Sequence, residues 1–166
     1  LETVDMPTGA SFGKAFKNCS NVTSFNLRGQ LKLVDEKCFA GLCNLKEFTV
    51  PEGVVQIDGF AFSNCTGLVS ITLPKTVKMI NDGAFYNCTS LSRIVIPEGV
   101  ESIGNRAFCG CTSLKEIVLP TTISSYGQNV FEGCQSLECI PFLSVKRMSD
   151  GAFKNCTGLR SGSIPG

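Results

Sequence analysis

Cysteine stands beside a hydroxyl residue at several regularly spaced places in this sequence. The octet AFYNCTSL at Ala84 has near-copies that begin at Ala15, Ala61, Ala107 and Ala152. Each copy brings a thiol next to serine or threonine, and four of the five contain an Asn-Cys-Ser/Thr triplet, the acceptor pattern for N-glycosylation. The octet is therefore a candidate for a repeated thiol or glycan-acceptor site, and the alternative is that it serves only the fold.

Other kinds of catalytic chemistry lack the residues they need. The 166 residues include ten cysteines but no histidine, which removes the Ser/His and Cys/His nucleophile pairs and histidine-ligated metals. No repeat unit carries its own acid, base and nucleophile. The sequence therefore predicts a protein that is not an enzyme and that uses no cofactor.

Composition narrows the class of partner. Apolar residues make up 43% and charged residues 17% of the chain, which is typical of a globular protein. The formal net charge is +1 and no run of lysine or arginine stands out, so no nucleic-acid partner is expected. No apolar stretch approaches the ~20 residues of a membrane span, so no membrane insertion is expected.

A strictly periodic repeat organises the chain. One phenylalanine per unit recurs with steps of 23, 23, 23, 23, 23 and 22 in the numbering, at Phe16, Phe39, Phe62, Phe85, Phe108, Phe131 and Phe153. Other apolar residues keep the same register, so the unit is A-F-x-x-C-x-x-L-x-x-I-x-I-P-x-x-V-x-x-I-x-x-x. The alternation I-x-I predicts a very short strand with one buried face, which the proline ends because it cannot donate to the ladder. V-x-x-I predicts a second buried contact on the return path, and A-F predicts a short helical turn.

One unit cannot bury its apolar face alone, so the units must stack into a solenoid with a continuous core. The pattern, seen in CTSLSRIVIPEGVESIGNRAF from Cys88 to Phe108, resembles the BspA-like, or Treponema pallidum-type, leucine-rich repeats. The resemblance covers nearly the whole chain. It implies an α/β leucine-rich-repeat right-handed solenoid with short parallel strands and short helical turns. Residues 1–166 would then form a single leucine-rich-repeat domain of about seven repeats.

The resemblance also implies a function. Proteins of this family are found on or secreted from bacteria and parasitic protists, are implicated in adhesion, and are not known as enzymes. We therefore expect a non-enzymatic protein–protein interaction module, at the cell surface or secreted, with a protein or extracellular-matrix ligand. The alternative is a cytoplasmic recognition or effector-binding module, which reduced cysteines would favour. The chain begins and ends inside a repeat, so we also expect a fragment of a longer array whose open edges allow end-to-end self-association.

The register of the octet favours a corner of the solenoid over a reactive site. Two residues after each phenylalanine only asparagine or glycine occurs, and both tolerate the left-handed backbone region in which a short helical turn commonly ends. This role does not exclude glycosylation of the formal acceptor triplets, which lie at Asn18, Asn21, Asn64, Asn87 and Asn155.

The next position holds cysteine in six units and Leu42 in one, which indicates an inward apolar site. Stacked cysteines would lie about 5 Å apart with parallel Cβ vectors, a poor geometry for a disulfide. They would also form a row, whereas zinc needs a tetrahedron. We therefore expect a reduced ladder without metal. Cys139 lies off the ladder at an outward strand position, so we expect it to be exposed.

The exposed strand face is the surface on which such a solenoid would bind a macromolecule. Outward positions on neighbouring strands form the predicted contact patch, which consists of Thr72, Arg93, Val95, Glu116 and Val118. The last full interval is one residue short and puts Pro141 inside the strand segment. We expect a local distortion of the sheet there.

Overall fold

The computed structural model describes residues 3–6, 13–27, 31–140 and 148–160, and within these ranges all regular structure is β-strand. Eleven short strands follow one another: β1 (Thr3–Met6), β2 (Ser24–Leu27), β3 (Leu33–Val34), β4 (Glu47–Thr49), β5 (Gln56–Ile57), β6 (Ser70–Thr72), β7 (Met79–Ile80), β8 (Arg93–Val95), β9 (Ser102–Ile103), β10 (Glu116–Val118) and β11 (Ser125–Tyr126). All pairings between them are parallel. The chain is a β-solenoid.

The first ladder contains the predicted I-x-I strands. β4 pairs with β6, and β8 pairs with β10 in a register that sets Ile94 opposite Ile117, its equivalent in the next repeat. β6 lies against β8, where the N–H of Ser92 donates to the carbonyl of Val69 at 3.3 Å. The central residue of β4, β6, β8 and β10 is buried and its neighbours reach the surface, so the alternation predicted from the sequence is confirmed.

The return path forms a second parallel ladder. β3, β5, β7, β9 and β11 pair in that order, so that Ile57 lies opposite Ile80 and Ile80 opposite Ile103. The sequence pattern predicts only a buried contact here, because a run of two residues is too short to show alternation. The strands exist because each turn finds hydrogen-bond partners in the turns before and after it.

A stack of phenylalanine rings runs along the core. It extends from Phe16 to Phe153, with successive ring centroids 5.2–5.9 Å apart and ring planes within 22° of parallel. The five rings between these ends are completely buried. Offset stacking is a favoured geometry for aromatic pairs, so one repeated residue supplies both apolar burial and a fixed contact to its neighbour.

The corner that carries each phenylalanine is not helical, so the predicted short helical turns and the α/β class are wrong for the described residues. The N–H of Phe62 donates to the carbonyl of Ala84 in the next turn at 2.8 Å, whereas that of Ser63 bonds within the corner to Phe60. Phe60 and Asn64 both adopt the left-handed region, with φ of 55° and 58°. An α-helix needs right-handed backbone with every N–H bonded four residues back, and bonding between turns takes the place of that pattern.

Some expectations fall outside the described residues or are untested by them. The strand distortion expected at Pro141 lies in the undescribed segment 141–147. The organisation of residues 1–166 as a single domain, and its place in a longer array, stay predictions.

Candidate partner-binding face

The five residues of the predicted contact patch come together on the outward side of the first ladder. Arg93 on β8 lies opposite Glu116 on β10, and Val95 lies opposite Val118. Thr72 ends β6, the strand next to β8, at the position one repeat before Val95. Parallel pairing in register places equivalent residues of successive turns side by side, so the repeat itself assembles the patch.

The patch contains a pair of opposite charges. The Arg93 Nε donates to the Glu116 Oε2 at 3.0 Å, and the two side chains are 56% and 51% exposed. An exposed ion pair of this kind contributes at most ~1 kcal/mol to folding. The fold therefore does not depend on it, and both charges stay accessible beside Val95, which is itself exposed.

A shallow groove of ≈ 730 Å³ crosses this face. Thr72, Arg93, Val95 and Val118 belong to its lining. Glu116 does not, and it adjoins the groove through its ion pair with Arg93. The structure thus brings four of the five predicted residues into one concavity, with the fifth beside it.

The groove also has lining residues that the sequence reasoning did not single out. Val69 is exposed just before β6, and Lys75 and Glu98 follow the prolines that end the strands. The sequence could have indicated Val69, because the equivalent residues of other repeats are polar: Lys46, Ser92, Lys115 and Glu138. No sequence pattern could have indicated Lys75 and Glu98, because charged residues after a strand-ending proline are ordinary at a surface.

Four of the six cysteines of the ladder lie in the core, Cys156 is half-buried, and Cys19 is exposed, so the predicted inward position is wrong for Cys19. The predicted inward position is confirmed for four buried cysteines, whose Sγ atoms lie 3.0–3.2 Å from the carbonyl oxygen of a phenylalanine 26 residues earlier. These four are Cys65, Cys88, Cys111 and Cys134. Each thiol donates a hydrogen bond to the neighbouring turn as well as filling apolar space. The sequence does not reveal this donor role, which Leu42 cannot share.

Burial raises the pKa of these thiols and lowers their reactivity. It raises the pKa of Cys65 and Cys111 to about 12 and that of Cys156 to about 11, and the pKa values of Cys88 and Cys134 are raised too. The thiolate is the nucleophilic and metal-binding form, so a thiol that stays protonated is a poor nucleophile and ligand. These five thiols are therefore structural groups.

The remaining cysteines differ mainly in exposure. All ten are free thiols, and Cys139 is exposed as predicted, together with Cys19 and Cys43. Within the described ranges no group of three or more histidine, cysteine or acidic residues is placed to hold a metal ion. The described part of the chain also has no helix of the length and apolarity that crossing a membrane requires.

The asparagine and glycine positions of the corner are left-handed, as predicted. Positive φ occurs at every one of them: Asn18, Gly41, Asn64, Asn87, Gly110, Gly133 and Asn155. Where asparagines are successive, the Asn87 Nδ2 donates to the Asn64 Oδ1 at 3.3 Å. Where glycine follows, the preceding asparagine occupies the vacant space, and a Cβ on Gly110 would clash with the Asn87 Oδ1. Glycosylation of the acceptor triplets stays a prediction.

In-register parallel ladders, a repeated apolar core and an outward strand face define a leucine-rich-repeat solenoid. The sequence model for the BspA type leucine rich repeat region, present in six copies, matches residues 3–54 and 32–160. The chain therefore belongs to the BspA-type leucine-rich-repeat family. Leucine-rich-repeat proteins generally act as protein-interaction modules and are typically non-enzymatic scaffolds.

Solved structures support the same assignment. The T. pallidum leucine-rich-repeat protein superposes with a TM-score of 0.77 at 30% identity, over 95% of this chain and 67% of that one. A leucine-rich-repeat protein from Bacteroides ovatus superposes with a TM-score of 0.75 at 30% identity, over 83% of this chain and 39% of that one. A leucine-rich cell surface protein from Faecalibacterium prausnitzii superposes with a TM-score of 0.52 at 19% identity, over 89% of this chain and 74% of that one. At this identity the superposition shows only that the fold is shared. No curated protein sequence matches the chain.

Proposed function

We propose that this chain is a non-enzymatic interaction module that binds a protein ligand of the extracellular matrix through the groove on its strand face. The observation that carries the proposal is that exposed Val69 and Val95 line the groove, with the Arg93–Glu116 pair beside them. Apolar side chains at the centre with charged groups around them are the usual composition of a protein interface.

The charges of the groove favour a protein ligand with both signs of charge. Arg93 and Glu116 lie side by side, and Lys75 and Glu98 add one charge of each sign to the lining. Such a mixed pattern fixes the orientation of a partner more than it adds affinity, and it discriminates against partners with like charges in register. A uniformly acidic or uniformly basic polymer would meet charges of its own sign in the groove.

We further propose a location at the cell surface or in a secreted protein. The support is the shared fold with the Faecalibacterium prausnitzii protein that is described as a cell surface protein. Antibody labelling of intact and permeabilised cells of the source organism tests the location. Labelling only after permeabilisation would contradict it and favour an intracellular recognition module.

The binding test uses a charge exchange that keeps the total charge. Surface plasmon resonance measures the chain against immobilised fibronectin, laminin and collagen, with the double variant Arg93→Glu/Glu116→Arg beside the native sequence. We expect the exchange to weaken binding about tenfold or more, because each partner charge then meets its own sign. Val95→Asp, which puts a charge among the exposed valines, should weaken it as well.

The second ladder offers a matched control. Lys78 and Glu101 also form an exposed pair, with 3.9 Å between Nζ and Oε1, next to strands β7 and β9. Lys78→Glu/Glu101→Lys should leave binding unchanged. If the Arg93→Glu/Glu116→Arg variant binds as well as the native chain, the strand face is ruled out as the binding surface. If the native chain binds none of the three proteins, an extracellular-matrix ligand is refuted.

We also propose that copies of the chain associate end to end. The support is the ladder geometry, in which each turn bonds to the next through backbone groups. Light scattering over a concentration series tests this, and a strictly monomeric chain at all concentrations would contradict it.

A further inference from the structure

The strands of the first ladder pair two by two. β1 pairs with β2, β4 with β6, and β8 with β10, whereas the second ladder is one continuous sheet from β3 to β11. The backbone contact between β6 and β8 is correspondingly long. The N–H of Ser92 lies 3.3 Å from the Val69 carbonyl, whereas the equivalent bond from Lys115 to Ser92 measures 2.9 Å. The first ladder therefore has an open junction between β6 and β8.

The other end of this junction lacks a hydrogen bond that the neighbouring pairs have. The N–H of Val50, just after β4, donates to the Thr72 carbonyl at 3.0 Å, and that of Ile96, just after β8, donates to the next turn at 2.9 Å. Among the described residues, the equivalent N–H of Leu73 makes no bond to the next turn. Side-chain exposure agrees with an opening here, because Leu73 is 8% exposed and its equivalent Ile96 only 2%.

Two threonines bond the same pairs of turns at the residues that follow the strands. The Thr76 Oγ1 accepts from the N–H of Gly53 at 3.2 Å and donates to the Val54 carbonyl at 2.7 Å, which joins the turn of β6 to that of β4. Thr122 makes the equivalent two bonds, at 3.1 and 2.8 Å, to the turn of β8. At the open junction the equivalent residue is Gly99, which has no hydroxyl. Side-chain and backbone hydrogen bonds thus divide the turns in the same way.

The remaining parts of each turn are continuous across the junction. We call residues 47–76 the first block and residues 93–122 the second block. At the corner the Phe62 N–H donates to the Ala84 carbonyl at 2.8 Å, and in the second ladder β7 pairs with β9. Two blocks that are bonded along one ladder and open along the other can bend about the bonded one, because no ladder hydrogen bond has to break.

The groove on the strand face lies over the open junction. Its lining comes from both blocks, with Ile71 and Leu73 on one side and Arg93 and Val95 on the other. Ile71 is 7% exposed, whereas its equivalent Ile94 is 1% exposed. The gap between the blocks therefore makes apolar surface of the first block reachable from the groove.

We propose that the solenoid flexes at the junction of β6 and β8, about the second ladder, and that this movement widens and narrows the groove. The inference rests on the proposed function only in taking this groove as the site of the partner. A partner that places an apolar side chain against Ile71 and Leu73 binds the wide form better, so it shifts the population toward that form.

The first test uses the native chain without a ligand, so a chain that binds no matrix protein can still pass or fail it. Residual dipolar couplings of the backbone N–H groups are measured by NMR in a weakly aligning medium. We expect the first and second blocks to fit alignment tensors of different magnitude, because flexing averages the orientation of one block relative to the other. A single tensor that fits both blocks would overturn the proposal.

Amide hydrogen exchange locates the opening. The amide of Leu73 should exchange about tenfold or more faster than those of Val50 and Ile96, because only the latter two are bonded to the next turn. Equal protection of the three amides would show that the junction is closed in solution and would also overturn the proposal.

A covalent bridge across the junction should abolish the movement. In the variant Thr72→Cys/Val95→Cys, dibromobimane links the two introduced thiols and joins the blocks. Val95→Cys/Val118→Cys carries the same bridge within the second block and is the matched control. Both variants are made in a chain whose exposed native thiols are replaced by serine: Cys19, Cys43 and Cys139.

With the bridge across the junction we expect one alignment tensor to fit both blocks, and with the control bridge two different tensors. Different tensors with both bridges, or one tensor with both, would contradict flexing at this junction. Binding to the matrix proteins is measured separately, so its absence would refute the proposed ligand without changing the result on flexing.

Discussion

The Sγ of Cys88 lies 3.1 Å from the carbonyl oxygen of Phe62, 26 residues earlier in the chain. The same bond joins the other buried cysteines of the ladder to the phenylalanine of the turn before. Each thiol therefore connects two turns by donating to a carbonyl oxygen, and the carbonyl of Phe62 also accepts from the backbone N–H of Cys65 at 3.2 Å. The octet at Ala84 is therefore a corner in which the thiol of Cys88 is enclosed and protonated.

Two substitutions of Cys88 separate packing from hydrogen bonding. Cys88→Ala removes both the sulfur and the donor, and should cost about 1–3 kcal/mol in the free energy of unfolding. Cys88→Ser keeps a donor for the Phe62 carbonyl and should cost less. Urea unfolding measures both, with Cys139→Ala as the exposed control. A larger loss with serine than with alanine would show that the thiol acts only as an apolar group.

Thiol reactivity should divide the ten cysteines by exposure. In the native protein at pH 8, Ellman's reagent should modify Cys19, Cys43 and Cys139 rapidly, because these thiols are exposed. A thiol with a pKa of about 12, as at Cys65 and Cys111, is ionised to only about one part in ten thousand at that pH. Mass spectrometry of peptides identifies the modified sites. Unfolding without reductant should release ten titratable thiols, and a smaller number would contradict the reduced ladder.

Stability should fall on the alkaline side. The pKa of a cysteine in the unfolded chain is about 8.5, and burial raises that of Cys65 and Cys111 to about 12 in the folded state. Above the unfolded value the unfolded chain binds fewer protons, so the free energy of unfolding decreases as pH rises from about 9 to about 12. Urea titrations at pH 8, 9 and 10 measure this. In the Cys88→Ala variant the free energy of unfolding should fall less steeply with pH than in the native chain. An identical fall would show that groups other than the buried thiols cause the pH dependence.

The left-handed corner predicts a reversal of the usual preference for alanine over glycine. Asn87→Ala and Asn87→Gly both lose the hydrogen bond to Asn64, so their difference reports the backbone alone. Because φ at this position is 56°, alanine should be less stable than glycine by about 1–2 kcal/mol. Thermal unfolding compares the two variants. Equal stability would show that the corner relaxes out of the left-handed region.

The repeat made most of the solenoid predictable. Phe85, Leu91, Ile94 and their equivalents are buried in the inner turns because stacking gives equivalent positions the same environment. The outward patch around Arg93 and Val95 followed from alternation along one short strand. Val69 was missed because it lies just before the strand, where alternation does not apply.

The structure of the corner and of the return path was not predictable in the same way. The corner sequence favours a helical turn locally, but alternate N–H groups bond to the next turn, as Phe62 does to Ala84. The two-residue strands of the second ladder likewise have no pattern of their own. Their conformation depends on partners in the neighbouring repeats.

The sequence by itself determined which residues are enclosed and which face outward, because a strict period and the need to bury apolar area leave one arrangement of inward positions. Only the tertiary structure decided how the backbone completes each turn. Hydrogen bonds between stacked turns outweigh local preference, hold Phe60 and Asn87 in the left-handed region and give the Cys88 thiol an acceptor. These conformations and hydrogen bonds depend on the distances between stacked turns, and the order of residue types along the chain does not specify those distances.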